Sequence, residues 1–345
     1  MLQQTQVKSV IPFYERWMKA LPNIRAVAKA PSQRIHKLWE GLGYYTRVRN
    51  LQTAARIIEA KQDGEFPVMF ADVLALPGVG PYTAGAICSI AFNQPTPILD
   101  GNVIRVLTRI FGISGNPRER KVNRRLWSIA QNLVSGTRDC SSLNQSLMEL
   151  GALICTPKQP KCDACPVIAY CSAHLQNRVE QLPNIAPRLR PTQRQFAAFI
   201  LERENRFLVR QRPHGVVNAH LWEFPNLEII SEGQDAKESA ETLLGVRIKS
   251  LEPFWTIKHS ITRYRIRMDI WRINEANRLP PTEECWFTLQ KLVTLPFASA
   301  HKRVLLRLLA RNSGARVKKV STRLNPRPIS KTDDPLNNAP SNKRR

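Results

Sequence analysis

Cys155-Thr-Pro-Lys-Gln-Pro-Lys-Cys162-Asp-Ala-Cys165-Pro-Val-Ile-Ala-Tyr-Cys171 places four cysteines in one short segment, spaced C-x6-C-x2-C-x5-C. Four thiolates at such spacing can close around one soft metal centre, either zinc or a [4Fe–4S] cluster. Zinc ribbons usually hold their two C-x2-C pairs further apart. A pair of disulfides is the other reading, but such pairs belong to small secreted domains. Immediately upstream, Leu147, Leu150 and Ile154 mark a helix from Gln145 to Ile154, so the loop is expected to hang from a packed helix. Lys158 and Lys161 within the loop suggest a metal-pinned basic segment that touches phosphate.

The bulk of the chain narrows its partners. At 345 residues it has room for about two domains, and a hydrophobic content of 43% supports real cores. Lys and Arg number 52 against 27 Asp and Glu, a formal charge of +25 that fits a polyanionic partner, usually nucleic acid. A merely soluble basic protein is the weaker reading. No apolar run reaches transmembrane length. Cys88, Cys140 and Cys285 are scattered in apolar or loop contexts and read as ordinary reduced thiols of a cytoplasmic protein.

Residues 1–175 read as almost purely helical. Val7, Val10, Ile11, Tyr14, Trp17, Met18 and Leu21 mark one helical face, with a kink expected at Pro12. Further helices are marked by Ile35, Leu38, Trp39 and Leu42, by Leu51 to Ile58, by Tyr82 to Phe92, by Val103 to Phe111 and by Val122 to Leu133. Residues 176–194 read as a linker, with Pro183, Pro187 and Pro191 interleaved with Arg188, Arg190 and Arg194. From 195 the period changes to two. Phe196 to Leu201 and Arg206 to Arg210 flank Glu204-Asn205 as a hairpin, and Tyr264, Ile266, Met268 and Ile270 alternate with Arg265, Arg267 and Asp269. A small α+β domain is expected over 195–311, followed by a disordered basic tail over 312–345.

Leu76-Pro-Gly78-Val79-Gly80 between two helices is a helix-hairpin-helix signal. Its glycines let the backbone turn tightly, so that amide groups and the next helix N-terminus can face a phosphate. Such a loop grips the nucleic-acid backbone without reading sequence. Further on, Asp100-Gly-Asn102 precedes a helix, where an aspartate is also a common N-cap.

In combination, these motifs resemble the endonuclease III superfamily of DNA base-excision glycosylases. Met1-Leu2-Gln3-Gln4-Thr-Gln6, Gly41-Leu-Gly-Tyr44-Tyr45, Leu76 to Gly85 and Ile98-Leu-Asp-Gly-Asn102 are similar to the adenine DNA glycosylase (MutY) family. The resemblance covers most of residues 1–311. It implies a multidomain chain: an all-α helix-hairpin-helix glycosylase domain whose Cys155, Cys162, Cys165 and Cys171 hold a [4Fe–4S] cluster, then a smaller Nudix-like α+β domain. It implies removal of adenine mispaired with 8-oxoguanine or guanine in double-stranded DNA, by a bacterial, nucleoid-associated monomer. Asp100 matches the carboxylate that steadies the cationic sugar, Asn102 a residue that orients the site, and Tyr82 a tyrosine lining the adenine pocket. Leu2, Gln3, Gln4 and Tyr44 match segments beside the lesion, with Gln4 and Tyr44 as wedges. Leu76, Gly78, Val79 and Gly80 match the backbone-gripping hairpin.

Tyr82 occupies the place where the bifunctional relatives carry a Schiff-base lysine. A phenol cannot form an imine, which leaves simple hydrolysis and argues against a glycosylase–lyase. The family's general-acid glutamate precedes the Leu-Gln-Gln-Thr motif, and the sequence opens at Met1 beside it. The resemblance therefore carries the expectation of a reading frame extending upstream; Glu15 and Glu40 do not match that glutamate. Without it, the chain would be a weakened mismatch-binding protein. In the second domain, Glu238 to Gly245 lacks the paired carboxylates of a Mg²⁺-dependent pyrophosphatase. Lys258-His259-Ser-Ile261-Thr262-Arg263 matches the loop that contacts 8-oxoguanine, with Ile261, Thr262 and Arg263 replacing the usual Phe, Ser and His.

Overall fold

Capping residues set much of the helical half. In the computed structural model, which describes residues 1–312 apart from 4, 62, 187–189, 231–233, 262 and 279–284, Asn23, Asp100 and Asp139 each accept a backbone N–H from the first turn of the helix they open. The disordered tail expected over 312–345 falls, past residue 312, outside the described residues. The helices are α1 (Val7–Ala20), α2 (Ile24–Lys29), α3 (Ser32–Trp39), α4 (Thr46–Lys61) and α5 (Phe70–Leu74). After the Leu76–Gly80 turn come α6 (Pro81–Phe92), α7 (Gly101–Ile110), α8 (Arg120–Ser135), α9 (Cys140–Glu149) and the short α10 (Ser172–Leu175). The helix expected from Gln145 to Ile154 is instead the end of α9 followed by a single π turn, Leu150–Ile154. Pro12 lies inside α1.

Three clusters hold these helices. One gathers Trp17, Ile35, Trp39, Tyr45 and Val48 around α1 to α4; a second gathers Ile98, Val103, Val106, Leu107, Leu126 and Leu147 around α7 to α9; a small third joins Val73 of α5 to Ala84 and Cys88 of α6.

The second half is a mixed sheet. Its strands are β1 (Thr192–Arg203), β2 (Arg206–Leu208), β3 (Arg210–Gln211), β4 (Trp222–Glu223), β5 (Asn226–Ile229), β6 (Ile248–Ile261), β7 (Tyr264–Ala276) and β8 (Trp286–Thr288). Six of them form the mixed sheet, in the main order β6-β7-β1-β2-β8 with β5 also on β1, while β3 and β4 pair as a separate two-stranded antiparallel sheet. β1 and β7 run parallel, while β6 and β7 form a long antiparallel hairpin. Glu204 and Asn205 both take positive φ, the backbone a tight β1–β2 turn demands. β1 starts at Thr192, inside the stretch read as linker. Alternation along β1 sends Ala198 and Ile200 to a core under α12 (Leu289–Thr294) and α13 (Ser299–Asn312). It sends Ala197, Phe199 and Leu201 to a core under α11 (Ala236–Leu244) on the other face. β6 escaped the sequence reading because Pro253 and register shifts near Ser250 and Trp255 break its alternation.

The two halves share a seam. Leu221 and Ala298 of the sheet domain sit in the α1–α4 core. Glu40, whose side chain is 4% exposed, accepts the Phe297 N–H at 2.8 Å and pairs with Lys302 at 2.6 Å and Lys37 at 2.9 Å. Lys37 also donates to the Leu295 carbonyl, and Arg49 to that of Ala219. Removing Glu40 leaves one buried amide and two ammonium groups without their acceptor. Both lysines reach solvent, so E40A is expected to cost about 2–3 kcal/mol in urea unfolding, below the ~3–5 of a fully buried pair.

His301 on α13 accepts the Phe224 N–H and faces Glu223, which also binds Arg210 and Arg212. Burial, aided by the two arginine charges and only partly offset by Glu223, pushes the His301 imidazole down to about 4. Burial opposes ionisation of Glu223, yet His301, Arg212 and Arg210 outweigh it and hold its carboxyl below the ordinary range. An unfolded histidine titrates near ~6.5, so between that pH and the folded value the unfolded chain binds more protons. Stability is then complete above pH ~6.5 and falls as the pH drops toward 4, by about 3 kcal/mol from His301 alone. Unfolding midpoints between pH 7.5 and 4.5 should decline in wild type and flatten in H301Q.

Candidate active site

Asp100 opens α7 and uses one oxygen as its cap. Its Oδ1 accepts the Asn102 and Val103 amides at 2.9 and 2.8 Å, and its Oδ2 accepts from Asn102 Nδ2 at 3.2 Å. The capping role weighed from sequence is therefore real. It also fixes the carboxylate, leaving Oδ2 as the freer oxygen. Asn102 hands the constraint onward, since its Oδ1 accepts from Arg105 Nη2 at 2.8 Å. Arg105 is 8% exposed and also donates to the Gly151 and Cys155 carbonyls. Gly151 is obligatory here, because a Cβ on it would lie 2.7 Å from the Asn102 Cβ.

One helical turn further, the buried Arg109 donates to the Leu182 and Thr156 carbonyls, and its Nη1 lies 3.3 Å from Cys155 Sγ. Cys155, Cys162, Cys165 and Cys171 are free thiols around one small cavity of about 30 Å³, with Arg109, Lys161 and His174 in its wall. Burial, then the other three cysteines, pushes the Cys162 thiol up, while Arg109 counters. Among the described residues no three His, Cys, Asp or Glu are placed to share a single metal ion. Four sulfurs facing one cavity are the donor set of a soft metal centre, either zinc or an iron–sulfur cluster.

The Leu76–Gly80 turn presents α6 to the same place. Gly78 has φ +78°, and a Cβ there would sit 2.6 Å from Asn50 Nδ2, so both backbone and space require glycine. Gly80 is the N-cap of α6 and Pro81 its first residue, leaving this helix N-terminus without a side-chain cap. Tyr82 follows, half-buried, with its hydroxyl 3.6 Å from Met148 Sδ. Burial, then the Asp100 charge, pushes its phenol above the ordinary value, so it stays protonated.

Arg47 ties two further segments to this wall. It donates to the Met1 carbonyl at 2.9 Å, to the Gln3 carbonyl, to Thr5 Oγ1, and to the Leu42 and Gly43 carbonyls, while its guanidinium lies over the Trp39 and Tyr44 rings. Gln3 reaches across to Thr83 Oγ1 at 3.1 Å. Tyr44 takes φ +48° and is 48% exposed, so it is a surface aromatic; the core aromatic beside it is Tyr45.

Leu2, Gln3, Tyr44, Leu76, Gly78, Val79, Tyr82 and Asp100 line one open groove of about 1830 Å³. That exceeds a small-molecule pocket of roughly 300–1,000 Å³ and suits part of a macromolecule. Asn102 is turned away from it toward Arg105, and Gln4 lies outside the described residues. Glu15 also lines the groove, whereas Glu40 is taken up in the domain seam. His259 and Arg263 stand apart on the β6–β7 hairpin. His259 is half-buried with Nδ1 unpartnered; burial and then Arg303 hold its imidazole below the usual value. Arg263 stacks over Tyr264, and Thr262 lies outside the described residues.

Arg47, Arg105 and Arg109 were missed from sequence. The signal for the last two was present: cations four residues apart on the otherwise apolar Val103–Leu107 face.

Residues 1–132 match the model of the HhH-GPD superfamily base excision DNA repair proteins, and 196–307 match a NUDIX domain. The chain is 34% identical over 358 residues to the adenine DNA glycosylase of Mus musculus, covering 88% of this chain and 69% of that protein. It is 39% identical over 279 residues to that of Rattus norvegicus, covering 68% and 54%. For that of Buchnera aphidicola subsp. Baizongia pistaciae the identity is 43% over 182 residues, covering 53% and 51%. The chain thus spans from about half to just over two thirds of the length of these relatives.

G151A must displace Asn102 and with it the Asp100 brace. Overpacking of this kind costs about 1–3 kcal/mol, which urea unfolding should register.

Proposed function

The chain belongs to the adenine DNA glycosylase family, and from that premise we propose that it hydrolyses the N-glycosidic bond of adenine mispaired with 8-oxoguanine or guanine in duplex DNA. The observation that carries the proposal is Asp100, braced on one oxygen and set beside Tyr82 in a groove too large for a lone metabolite. A base in a duplex cannot be reached, so the adenosine would be flipped out toward Asp100. As the bond to adenine stretches, positive charge develops on the sugar. A preorganised carboxylate stabilises that charge without reorganising at the moment of reaction.

The roles divide by charge. Asp100 supplies the negative charge. Tyr82, kept protonated, adds none and lines the adenine side of the pocket. Asn102 acts as a positioning residue: it holds Oδ2 and is itself held by Arg105. Tyr82 in place of a lysine supports a monofunctional hydrolase, because it offers no amine for an imine with the opened sugar.

The Leu76–Gly80 amides and the uncapped start of α6 are suited to a phosphate near the flipped nucleotide. Leu2, Gln3, Gln4 and Tyr44 would fill the space beside it, with Arg47 clamping both segments. The four cysteines would hold a [4Fe–4S] cluster, which when bound supplies a rigid clasp for the loop. Arg109 would neutralise thiolate charge there, and it ties the loop to α7 through Cys155 Sγ and the Thr156 carbonyl. His259, Thr262 and Arg263 are proposed to face the 8-oxoguanine strand. The protein is proposed to act as a monomer.

Single-turnover release of adenine from a duplex with one A:8-oxoguanine pair tests the proposal. The chain extended upstream to carry the family's general-acid glutamate should release adenine, D100N in that background should be slower by about a hundredfold or more, and borohydride should trap no covalent adduct. An extended protein that releases no adenine would refute it.

A further inference from the structure

The last helix carries arginines at 303, 307 and 311, and each lies against an aromatic ring of β6. Arg303 stands 5.3 Å from the Trp255 ring centroid, Arg307 4.7 Å from Trp255 and 5.7 Å from Phe254, and Arg311 4.7 Å from Phe254. Several other arginines of this domain are matched by acids, among them Arg194 with Glu228, Arg267 with Asp269 and Arg272 with Glu202, while Arg263 and Arg265 on the hairpin have no such partner among the described residues. Among the described residues no carboxylate lies within ion-pair distance of Arg303, Arg307 or Arg311.

Stacking immobilises a guanidinium and leaves its N–H edge directed outward, which lowers the entropy lost when it meets an anion. Three such groups along one helix edge form a preorganised row rather than three flexible side chains. Their spacing selects the anion. Four residues of α-helix rise about 6 Å, so the row spans about 12 Å, the axial length of roughly three to four phosphates of one DNA strand.

The row is also continuous with the elements already assigned to DNA. α13 begins at the domain seam, where Lys302 pairs with Glu40. At the same end, the charge of Arg303 acts on His259 of the hairpin.

We propose that Arg303, Arg307 and Arg311 form a phosphate-gripping comb that holds the backbone of duplex DNA against the sheet domain. The proposal rests on the DNA-repair reading above and adds a contact surface to it. Backbone contacts carry no sequence information, so the comb serves matched and mispaired duplexes alike.

The test is the salt dependence of duplex binding by the full chain. Methionine at each position keeps apolar cover over Phe254 and Trp255 and removes the charge. For R303M/R307M/R311M, the slope of log affinity against log salt should fall by about two to three, near 0.9 per lost phosphate contact. The fall should be alike for a matched duplex and an A:8-oxoguanine duplex, with the unfolding midpoint kept. Should the triple variant fail to fold, each single variant should lower the slope by about one. An unchanged slope in variants that fold overturns the comb, even where the extended chain binds duplex and releases adenine. An extended chain that neither binds duplex nor releases adenine overturns the DNA-repair reading, and the comb with it.

Discussion

Two buried guanidinium groups on one helix tie distant segments of the helical half of this molecule together. Arg105 and Arg109 lie one turn apart on α7, where an amphipathic helix normally buries only apolar residues. Burying charge is costly unless every donor finds an acceptor. Here the acceptors are main-chain carbonyls at Gly101, Gly151, Cys155, Thr156 and Leu182, together with Asn102 Oδ1 and Cys155 Sγ. The fold thus stakes its energy on chain segments distant in sequence meeting at one helix. The same contacts that fasten the cysteine loop also orient Asn102 against Asp100. In this arrangement the fastening of the cysteine loop and the bracing of the Asp100 carboxylate cannot be separated.

What could be read in the sequence was what is local. The cysteine spacing, the Leu76–Gly80 turn, the Asp100 cap and the switch from period 3.6 to period two each lie within a few residues of themselves. What could not be read is non-local. Glu40 looks like any carboxylate at a helix end, and only folding brings Phe297 and Lys302 to it. Arg47 looks like a solvated cation of α4, yet it gathers carbonyls from two other segments. β6 was hidden for a different reason. Its bulges break the alternation that identifies strands, while its partner β7 keeps a clean pattern.

The domain seam bears on how such an enzyme would search. The Pro- and Arg-rich stretch between the halves suggests two bodies on a tether, but the packing says otherwise. Leu221 and Ala298 belong to the helical core, and Glu40 takes three donors across the boundary or beside it. A latch of this kind fixes the separation between the Asp100 groove and the β6–β7 hairpin before any ligand arrives. Orientation settled in advance need not be taken from binding energy at the encounter.

A fixed separation has a consequence for discrimination. If the groove handles the base to be removed and the hairpin faces its opposite, contacts on one domain position the other through the latch and α13. Charge distribution follows the same division. On the hairpin's outer face, Asp269 takes up Thr256, Gln195 and Arg267, so cations there are partly neutralised and geometry matters more than attraction. Along α13 no acid among the described residues answers the arginines, so attraction would dominate there. On the proposed reading, phosphate grip without sequence content would supply residence on the duplex, and the half-buried hairpin and braced groove would supply selectivity. Were both tasks given to one surface, stronger attraction would also tighten binding to undamaged DNA. Separating them on a rigid frame lets affinity and choice be set by different residues.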